Sequence, residues 1–355
     1  MAEEMTVIGA GPAGAAAAAA MARAGLKVTV YEAHSRLALK PCGRAVPATD
    51  EMPLRVPRSS IVQEIRRVTL YVDGVKTVDV GLREAGYIVD KEDMLEDWIV
   101  SSGADLVTSS PYNPLTGTVR LGGEVKEVTR GVLSGGAAFY GGERIMAIQS
   151  VVRPAQPVSS DEIIIFFDTG LLGYYWVFPA GDYVEVGVGG FADATTLLQL
   201  LNRFISERPE LAGSRVLETA GAPIAVGGVE VGVHRGLVKA GESAGFVLPL
   251  TGEGIRPSAL SGFEAGRAIA EGLDPSSRLQ GLRIAKAIRL QRSILQAVKG
   301  MRPERRREFL ISIPPQVHEE VALGSFNLAR IAAALIGRPD ILASLMKYIG
   351  GGLGA

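Results

Sequence analysis

The sequence predicts an α/β fold: a Rossmann-like dinucleotide-binding unit, a β-rich part inserted into it, and a helical C-terminal segment. Three observations predict this. Residues 5–32 read as strand, glycine-rich turn, helix and strand. Strand-like stretches then dominate between residues 64 and 190, and from residue 276 to 349 the pattern is mostly helical.

Met5–Ala10 is a short apolar strand that runs into Gly9-Ala-Gly11-Pro-Ala-Gly14. An alanine-rich helix follows to about Ala24, with Gly25 placed to end it. Lys27–Tyr31 is a second strand ending at Glu32, and a parallel pairing of the two strands requires the helix between them. Ser35–Pro57, rich in proline, basic and small residues, reads as a long loop, a feature usually tied to function in compact proteins. Strand character returns at Glu64–Val72 and Lys76–Val80, and Tyr87–Asp90 leads into a helix over Lys91–Ser101 that Gly103 closes. Gly117–Val152 is glycine-punctuated and β-rich. Asp161–Asp168 and Tyr174–Gly190 are further strand regions, and a helix covers Thr195–Arg208. Leu237–Ala240 is the last strand, before Gly241-Glu-Ser-Ala-Gly245 and a helix over Pro257–Gly272.

Composition narrows the function classes. A formal net charge of −1 offers no electrostatic case for a nucleic-acid partner. Cys42 is the single cysteine, so no intramolecular disulfide forms and a reducing compartment fits. His34, His234 and His318 are scattered without metal-ligand spacing, so no metal site is expected. His34 and His234 are expected on surface turns. The N-terminal residues lack a charged region before an apolar core, so no signal peptide is expected. The apolar run Ala13–Ala24 is too short to span a bilayer. The expected location is cytoplasmic, open to peripheral contact at the inner membrane face.

A lone GxGxxG signal is weak, but here a strand precedes it, a helix follows, and Glu32 stands 18 positions beyond Gly14 at a strand end. Gly9 permits the tight turn, Gly11 lets the backbone approach a pyrophosphate, and Gly14 lets helix and strand pack closely. The helix N-terminus adds free N–H groups, and Glu32 accepts from the adenosine ribose. The choice of FAD over NAD comes from Lys239–Ile255. A strand there delivers Glu242 to a turn where its carboxylate can hold a ribityl hydroxyl. Gly252 and Gly254 leave room for a ring system, and the next helix aims its N-terminal amides at the edge where reduced flavin carries negative charge.

GxGPAG together with Gly241-Glu-Ser-Ala-Gly245 and Pro249-Leu-Thr-Gly-Glu-Gly-Ile255 resembles the flavoprotein reductases and hydroxylases of the para-hydroxybenzoate hydroxylase superfamily. Within it the chain is most similar to geranylgeranyl reductases, in particular the archaeal digeranylgeranylglycerophospholipid reductases. Lys40-Pro-Cys-Gly-Arg44 looks like that family's Cys-Gly loop beside the flavin. Tyr174-Tyr-Trp-Val-Phe-Pro179 looks like its lipid-lining strand, and Gly337-Arg-Pro-Asp-Ile-Leu342 resembles its terminal helical segment. Three departures stand out. Glu242 replaces the usual Asp, Lys91 stands where an Arg often follows the acid, and the superfamily's Asp-Gly motif is reduced to Tyr140-Gly-Gly142.

The resemblance implies an FAD-dependent reductase saturating C=C bonds of geranylgeranyl chains in archaeal ether-lipid precursors, fed by an external electron donor. The alternatives are a flavin-dependent monooxygenase or halogenase of the same superfamily and a non-catalytic flavin- or lipid-binding protein. The FAD-binding domain, of the para-hydroxybenzoate hydroxylase type, is expected over residues 1–60, 85–150 and 232–275. The substrate domain then takes 61–84 and 151–231, and the helical region 276–355. Expected cofactor contacts are Gly9, Gly11, Pro12, Ala13, Gly14, Glu32, Cys42, Gly43, Arg44, Lys91, Tyr112, Glu242, Gly252, Gly254 and Ile255. Tyr174, Trp176, Phe178 and Pro179 are expected to bind the isoprenoid lipid, and the aromatics either line its slot or simply fill the sheet core. Tyr174 and Trp176 share one strand face, Tyr175 and Val177 the other. Cys42 either positions substrate or relays a proton, as a candidate catalytic residue, or packs as a small apolar group. Ten Lys/Arg and one acid between Ser277 and Arg307 form either a membrane-facing basic surface or a solvated helix face.

Overall fold

The computed structural model describes residues 4–49, 51–322, 330 and 333. Strand β1 (Glu4–Ile8), helix α1 (Pro12–Arg23) and strand β2 (Lys27–Tyr31) form the expected βαβ unit, with Thr6 opposite Thr29 in parallel register. Pro12 opens α1, where its missing N–H costs nothing. Parallel β6 (Asp105–Val107) adds beside β2. On the other side of β1 lie β10 (Gly131–Leu133), β17 (Leu237–Lys239) and antiparallel β16 (Val233–His234). The strand order therefore reverses at β1, and a crevice opens where the carboxyl ends of β1 and β10 diverge.

Alternation along β1 assigns its two faces. Val7 packs with α1, whereas Ile8 packs with Val119 of a small sheet, β7 (Tyr112–Asn113), β8 (Thr118–Leu121) and β9 (Glu124–Glu127). Helix α2 (Lys91–Val100) is capped by Asp90, whose carboxylate accepts from the Glu92 and Asp93 N–H groups. Helix α4 (Ile255–Ala270) begins two residues before Pro257, which sits in its first turn among donors that have no helical partner. The alanines of α1 let α4 lie against it at backbone contact: a Cβ on Gly262 would run into the Ala13 carbonyl oxygen. This contact joins two motifs more than 200 residues apart in sequence.

An eight-stranded sheet forms the second layer. In spatial order it runs β15 (Arg215–Ala225), β11 (Arg144–Arg153), β14 (Tyr183–Gly190), β13 (Gly173–Ala180), β12 (Glu162–Asp168), β4 (Ile61–Val72), β5 (Val75–Val89) and β3 (Ala45–Val46). Helix α3 (Ala194–Glu207) covers one face, with Leu197, Leu201 and Ile205 packed on Tyr175, Val186 and Val188. The other face looks into the cavity described below.

Several expectations change. Tyr174–Gly190 is a hairpin turning at Gly181, not one strand region. Strand β15 was not expected, because its Glu, Gly and Pro content is unlike a central strand; as an edge strand it tolerates Pro223. The expected domain boundaries at 84/85 and 150/151 each fall inside a strand of the large sheet, β5 and β11.

After α4 come α5 (Pro275–Gly281), α6 (Arg283–Lys299), α7 (Pro303–Ser312) and α8 (Pro315–Ala322). Helix α6 turns Ala285, Ile288, Leu295 and Val298 inward and Arg283, Lys286, Arg289 and Arg292 outward. Arg306, one of the ten basic residues, is instead buried. It donates to the Val298 and Met301 carbonyls at the end of α6 and to the Thr169 carbonyl of the sheet layer. The Gly337–Leu342 segment lies outside the described residues. Among the described residues no helix is long and apolar enough to cross a membrane.

Candidate functional site

The crevice at β1 is a phosphate cradle in shape. Gly9 adopts φ +89°, and a Cβ on Gly14 would collide with the Gly9 carbonyl oxygen, so the turn and α1 can close only on glycine. At Gly11, the N-cap of α1, a Cβ would meet no protein atom within 4 Å. That glycine is not demanded by packing; it leaves the helix N-terminus open to a ligand. Glu32 is held at the rim: one oxygen accepts from the Ala10 N–H at 2.9 Å, the other from the His34 N–H at 3.1 Å. His34 is exposed, as expected of a surface turn, but it also pairs with Glu32 through Nδ1 at 2.8 Å. These residues fit the pyrophosphate and ribose of a dinucleotide.

The cradle opens into a cavity of about 720 Å³. Gly9, Gly11, Pro12, Ala13 and Glu32 line one end, with Tyr112 and the Ser134–Phe139 segment after β10. Tyr112 leans on Phe139 and His234, and its buried hydroxyl has no partner. Burial pushes that phenol up, against a smaller downward pull from Arg235.

The middle of the cavity is framed by two loops. Residues 38–47 form one; Lys91, the buried first residue of α2, fastens it by donating to the Lys40 carbonyl at 2.7 Å. The other is Thr251–Ile255, at the start of α4. Gly252 has φ +66°, and a Cβ on Gly254 would meet Val247 at 3.6 Å and the Gly252 carbonyl oxygen at 4.0 Å, both ordinary contact distances. Glu242 lies between the loops, where one oxygen accepts from Lys40 Nζ at 2.5 Å and the other from the Ala225 N–H at 3.2 Å. Lys40 is a partner that sequence reasoning did not assign.

The far end is apolar. Tyr174, Trp176 and Phe178 line it from one face of β13, with successive ring centroids 5.9 and 6.4 Å apart. Tyr175 is on the opposite face, stacked on Phe204 at 4.6 Å. Pro179 is a correction: the two-residue period puts it on the Tyr175 side, buried and away from the cavity lining. Ile65, Leu70, Ile163, Ile165 and Phe167 complete the apolar wall. Tyr174 donates its hydroxyl to the Thr251 carbonyl, and burial, with Cys42 nearby, raises its phenol far above the ordinary range. A second cavity of about 160 Å³ shares Leu70, Phe167 and Tyr174 and extends beneath α6, α7 and α8.

Cys42, Gly43 and Arg44 meet this apolar wall. A Cβ on Gly43 would stand 2.8 Å from the Phe178 ring and 3.6 Å from Trp176 Nε1. Cys42 lines the cavity, its Sγ accepting from the Arg44 N–H at 3.4 Å. Arg44 has φ +53° and reaches Glu185 on β14, Nη2 to Oε1 at 2.5 Å. Burial pushes the Glu185 carboxyl up, and Arg44 and Lys91 pull it down. Glu185 and Gln149 were not anticipated, although Glu185 is the one charge in the run Tyr183–Gly190. Tyr140, from the reduced motif, is buried and donates to the Gly228 carbonyl at 2.8 Å; burial raises it to about 12. Among the described residues no group of three or more His, Cys, Asp or Glu side chains could hold a metal ion.

A family model described as an NAD(P)-binding Rossmann-like domain matches residues 7–45. The geranylgeranyl diphosphate reductase of Rhodobacter capsulatus is 27% identical over 79% of this chain and 78% of its own. Digeranylgeranylglycerophospholipid reductase 2 of Methanopyrus kandleri is 28% identical over 76% and 78%. Among solved structures, a geranylgeranyl bacteriochlorophyll reductase-like protein from Thermoplasma acidophilum superposes with a TM-score of 0.76 at 18% identity, covering 98% of this chain and all of the other. The resemblance to geranylgeranyl reductases carried by the motifs is thus matched over about three quarters of the chain.

Proposed function

We propose that this chain is an FAD-dependent reductase that saturates C=C bonds of geranylgeranyl chains in archaeal ether-lipid precursors. One observation carries the reading: the phosphate cradle and the aromatic, apolar wall share a single cavity. A dinucleotide site alone needs no such slot, and a lipid site alone needs no glycine cradle with an open helix N-terminus. Relatives named for reduction of geranylgeranyl groups support the same reaction class, an oxidoreductase acting on C=C bonds.

In this reading Gly9, Gly11, Pro12, Ala13 and Glu32 hold the adenosine and pyrophosphate, and Gly14 closes the turn behind them. Glu242 takes the ribityl chain, and Gly252, Gly254 and Ile255 border the ring. Bound flavin supplies the two-electron reducing equivalent, refilled from an external donor. The chain's own residues do the rest. Tyr174, Trp176 and Phe178 orient an isoprenoid chain and keep water from charge developing on the alkene. Cys42 positions that chain or passes a proton to it. The outward basic face of α6 meets an anionic lipid surface.

The test is anaerobic. FAD-loaded protein is reduced with dithionite and mixed with a digeranylgeranylglyceryl phospholipid. Flavin reoxidation, with two mass units gained per reduced double bond, is expected (about two, from the hydrogens added). Reduced flavin that persists, or turnover only once oxygen is admitted, overturns the reading.

A further inference from the structure

Glu185 is a buried charge that neither the phosphate cradle nor the aromatic wall uses. It is 2% exposed and stands between Val184 and Val186 on β14, cross-strand from Phe178 and so on the cavity side of the sheet. It pairs with Arg44, Nη2 to Oε1 at 2.5 Å, whereas Glu185 Oε2 and Arg44 Nε have no hydrogen-bond partner. A buried pair held through one such contact leaves much of its desolvation cost unreturned, so stability does not account for it.

What the pair does fix is backbone. Arg44 adopts φ +53°, a left-handed conformation that a residue with a Cβ rarely takes. In that conformation its N–H donates to Cys42 Sγ at 3.4 Å, and its carbonyl accepts from the Val89 N–H at 3.1 Å. Other elements tie down the preceding residues. Lys91 donates to the Lys40 carbonyl, and Gln149 Nε2 donates to the Cys42 carbonyl at 3.4 Å. Gly43 has no room for a Cβ beside the Phe178 ring. Each of these ties stops short of the Arg44 side chain, which Glu185 holds from the sheet.

We propose that Glu185 is a positioning residue for Cys42: its carboxylate clamps Arg44 in the left-handed conformation that sets the thiol against the Arg44 N–H and into the main cavity. The inference rests on the isoprenoid reading above for what the thiol meets there; the clamp itself belongs to the chain. A sulfur that accepts the Arg44 N–H keeps its own S–H free to point at a ligand, so the clamp sets the direction in which the thiol can donate. Without the carboxylate, arginine leaves the costlier left-handed state and the loop carries the thiol off the cavity wall.

The experiment reads the thiol, not turnover. Cys42 is the single cysteine, so a thiol reagent reports on it alone. Alkylation of FAD-loaded full-length protein by iodoacetamide is followed by mass spectrometry in the wild type and in two double variants, Arg44→Gly with Glu185→Leu and Arg44→Ala with Glu185→Leu. Both remove the two charges together, which avoids stranding one of them in the interior. Both also lose any contact of the guanidinium with flavin, and they differ by one Cβ. Glycine takes the left-handed conformation freely and alanine does not. The alanine variant should therefore alkylate about tenfold faster than the wild type, through loop opening, while the glycine variant returns to the wild-type rate. A glycine variant as fast as the alanine one, or faster, overturns the clamp, as does an alanine variant as slow as the wild type. Melting midpoints measured beside the rates separate general loosening from a local change. If a double variant fails to fold, Glu185→Gln decides, since it keeps the side-chain volume and removes the charge: faster alkylation supports the clamp, and an unchanged rate overturns it. Protein that reduces no polyprenyl lipid yet keeps the glycine–alanine difference sinks the reductase reading and leaves the clamp standing.

Discussion

Arg256 donates through Nε and Nη2 to the two carboxylate oxygens of Glu253, at 2.8 and 2.9 Å, and through Nη1 to Glu51. This fully buried guanidinium ties the Gly252–Gly254 loop to the segment that follows the Cys42 loop. Removing it strands the partly buried carboxylate of Glu253. We expect Arg256→Met to cost about 3 kcal/mol of stability, read as a lower urea midpoint, and to weaken flavin retention. An unchanged midpoint would show the triad to be incidental.

Two glycines of one turn should fail differently. Gly14→Ala puts a Cβ into the Gly9 carbonyl, an overpacking that costs about 1–3 kcal/mol or more. Gly11→Ala meets no protein atom, so its thermal midpoint should hold while bound flavin falls. Visible absorbance of the purified variants beside their melting curves separates the two. If Gly11→Ala keeps its full flavin complement, the phosphates do not lie against that backbone.

Cys42 lines the cavity where the Arg44 loop meets Tyr174. If its thiol passes a proton, Cys42→Ala should lower turnover about a hundredfold at unchanged FAD content. Full turnover in the variant takes the thiol out of the chemistry and leaves it as packing.

His318 is buried, with Nε2 donating to the Leu310 carbonyl at 2.9 Å, and burial holds its pKa below the ordinary 6.5. The unfolded chain therefore binds a proton below pH 6.5 that the folded chain refuses. Stability contributed by the neutral ring is complete above that pH and declines as pH falls toward the depressed value, by at most about 1.4 kcal/mol per pH unit. His318→Gln should flatten urea midpoints compared at about pH 7.5 and about pH 5.5. Lys299 lowers the Glu143 carboxyl below 4.5, so its titration belongs to a more acidic range. Parallel pH curves for variant and wild type would contradict this account.

Arg283, Lys286, Arg289 and Arg292 are exposed along α6, whereas Lys299 and Arg307 pair with Glu143 and Asp73. Flotation with phosphatidylglycerol vesicles should succeed at low salt and fade as salt rises. Reversing the charge of the four α6 residues should abolish it. No binding at any salt concentration removes the membrane contact.

Legibility followed sequence distance. The GxGxxG turn and the alternating faces of Tyr174, Trp176 and Phe178 could be read because each depends on neighbours only a few positions away, and Glu32 because one βαβ unit spans the 18 positions from Gly14 to it. The same alternation, carried to the end of the motif, turns Pro179 to the Tyr175 side. Strand β15 was missed because an edge strand need not be apolar, and its pairing with β11 is decided far along the chain. Lys40 stood in plain view in Lys40–Arg44, but its partner Glu242 lies 202 residues on.

The residues by themselves determined the βαβ unit, its open helix N-terminus and the aromatic stripe, because a turn, a helix and an alternating strand are set by steric preferences within a short segment. Tertiary structure alone decided that α4 lies on α1, so that Gly11 and Gly254 line one cavity, and that Gln149, Trp176 and Glu185 face the same side of the sheet, where Arg44 reaches Glu185. The physical reason is register: a shift of one residue in β11 or β14 would turn Gln149 or Glu185 to the other face, and only the packed sheet fixes it.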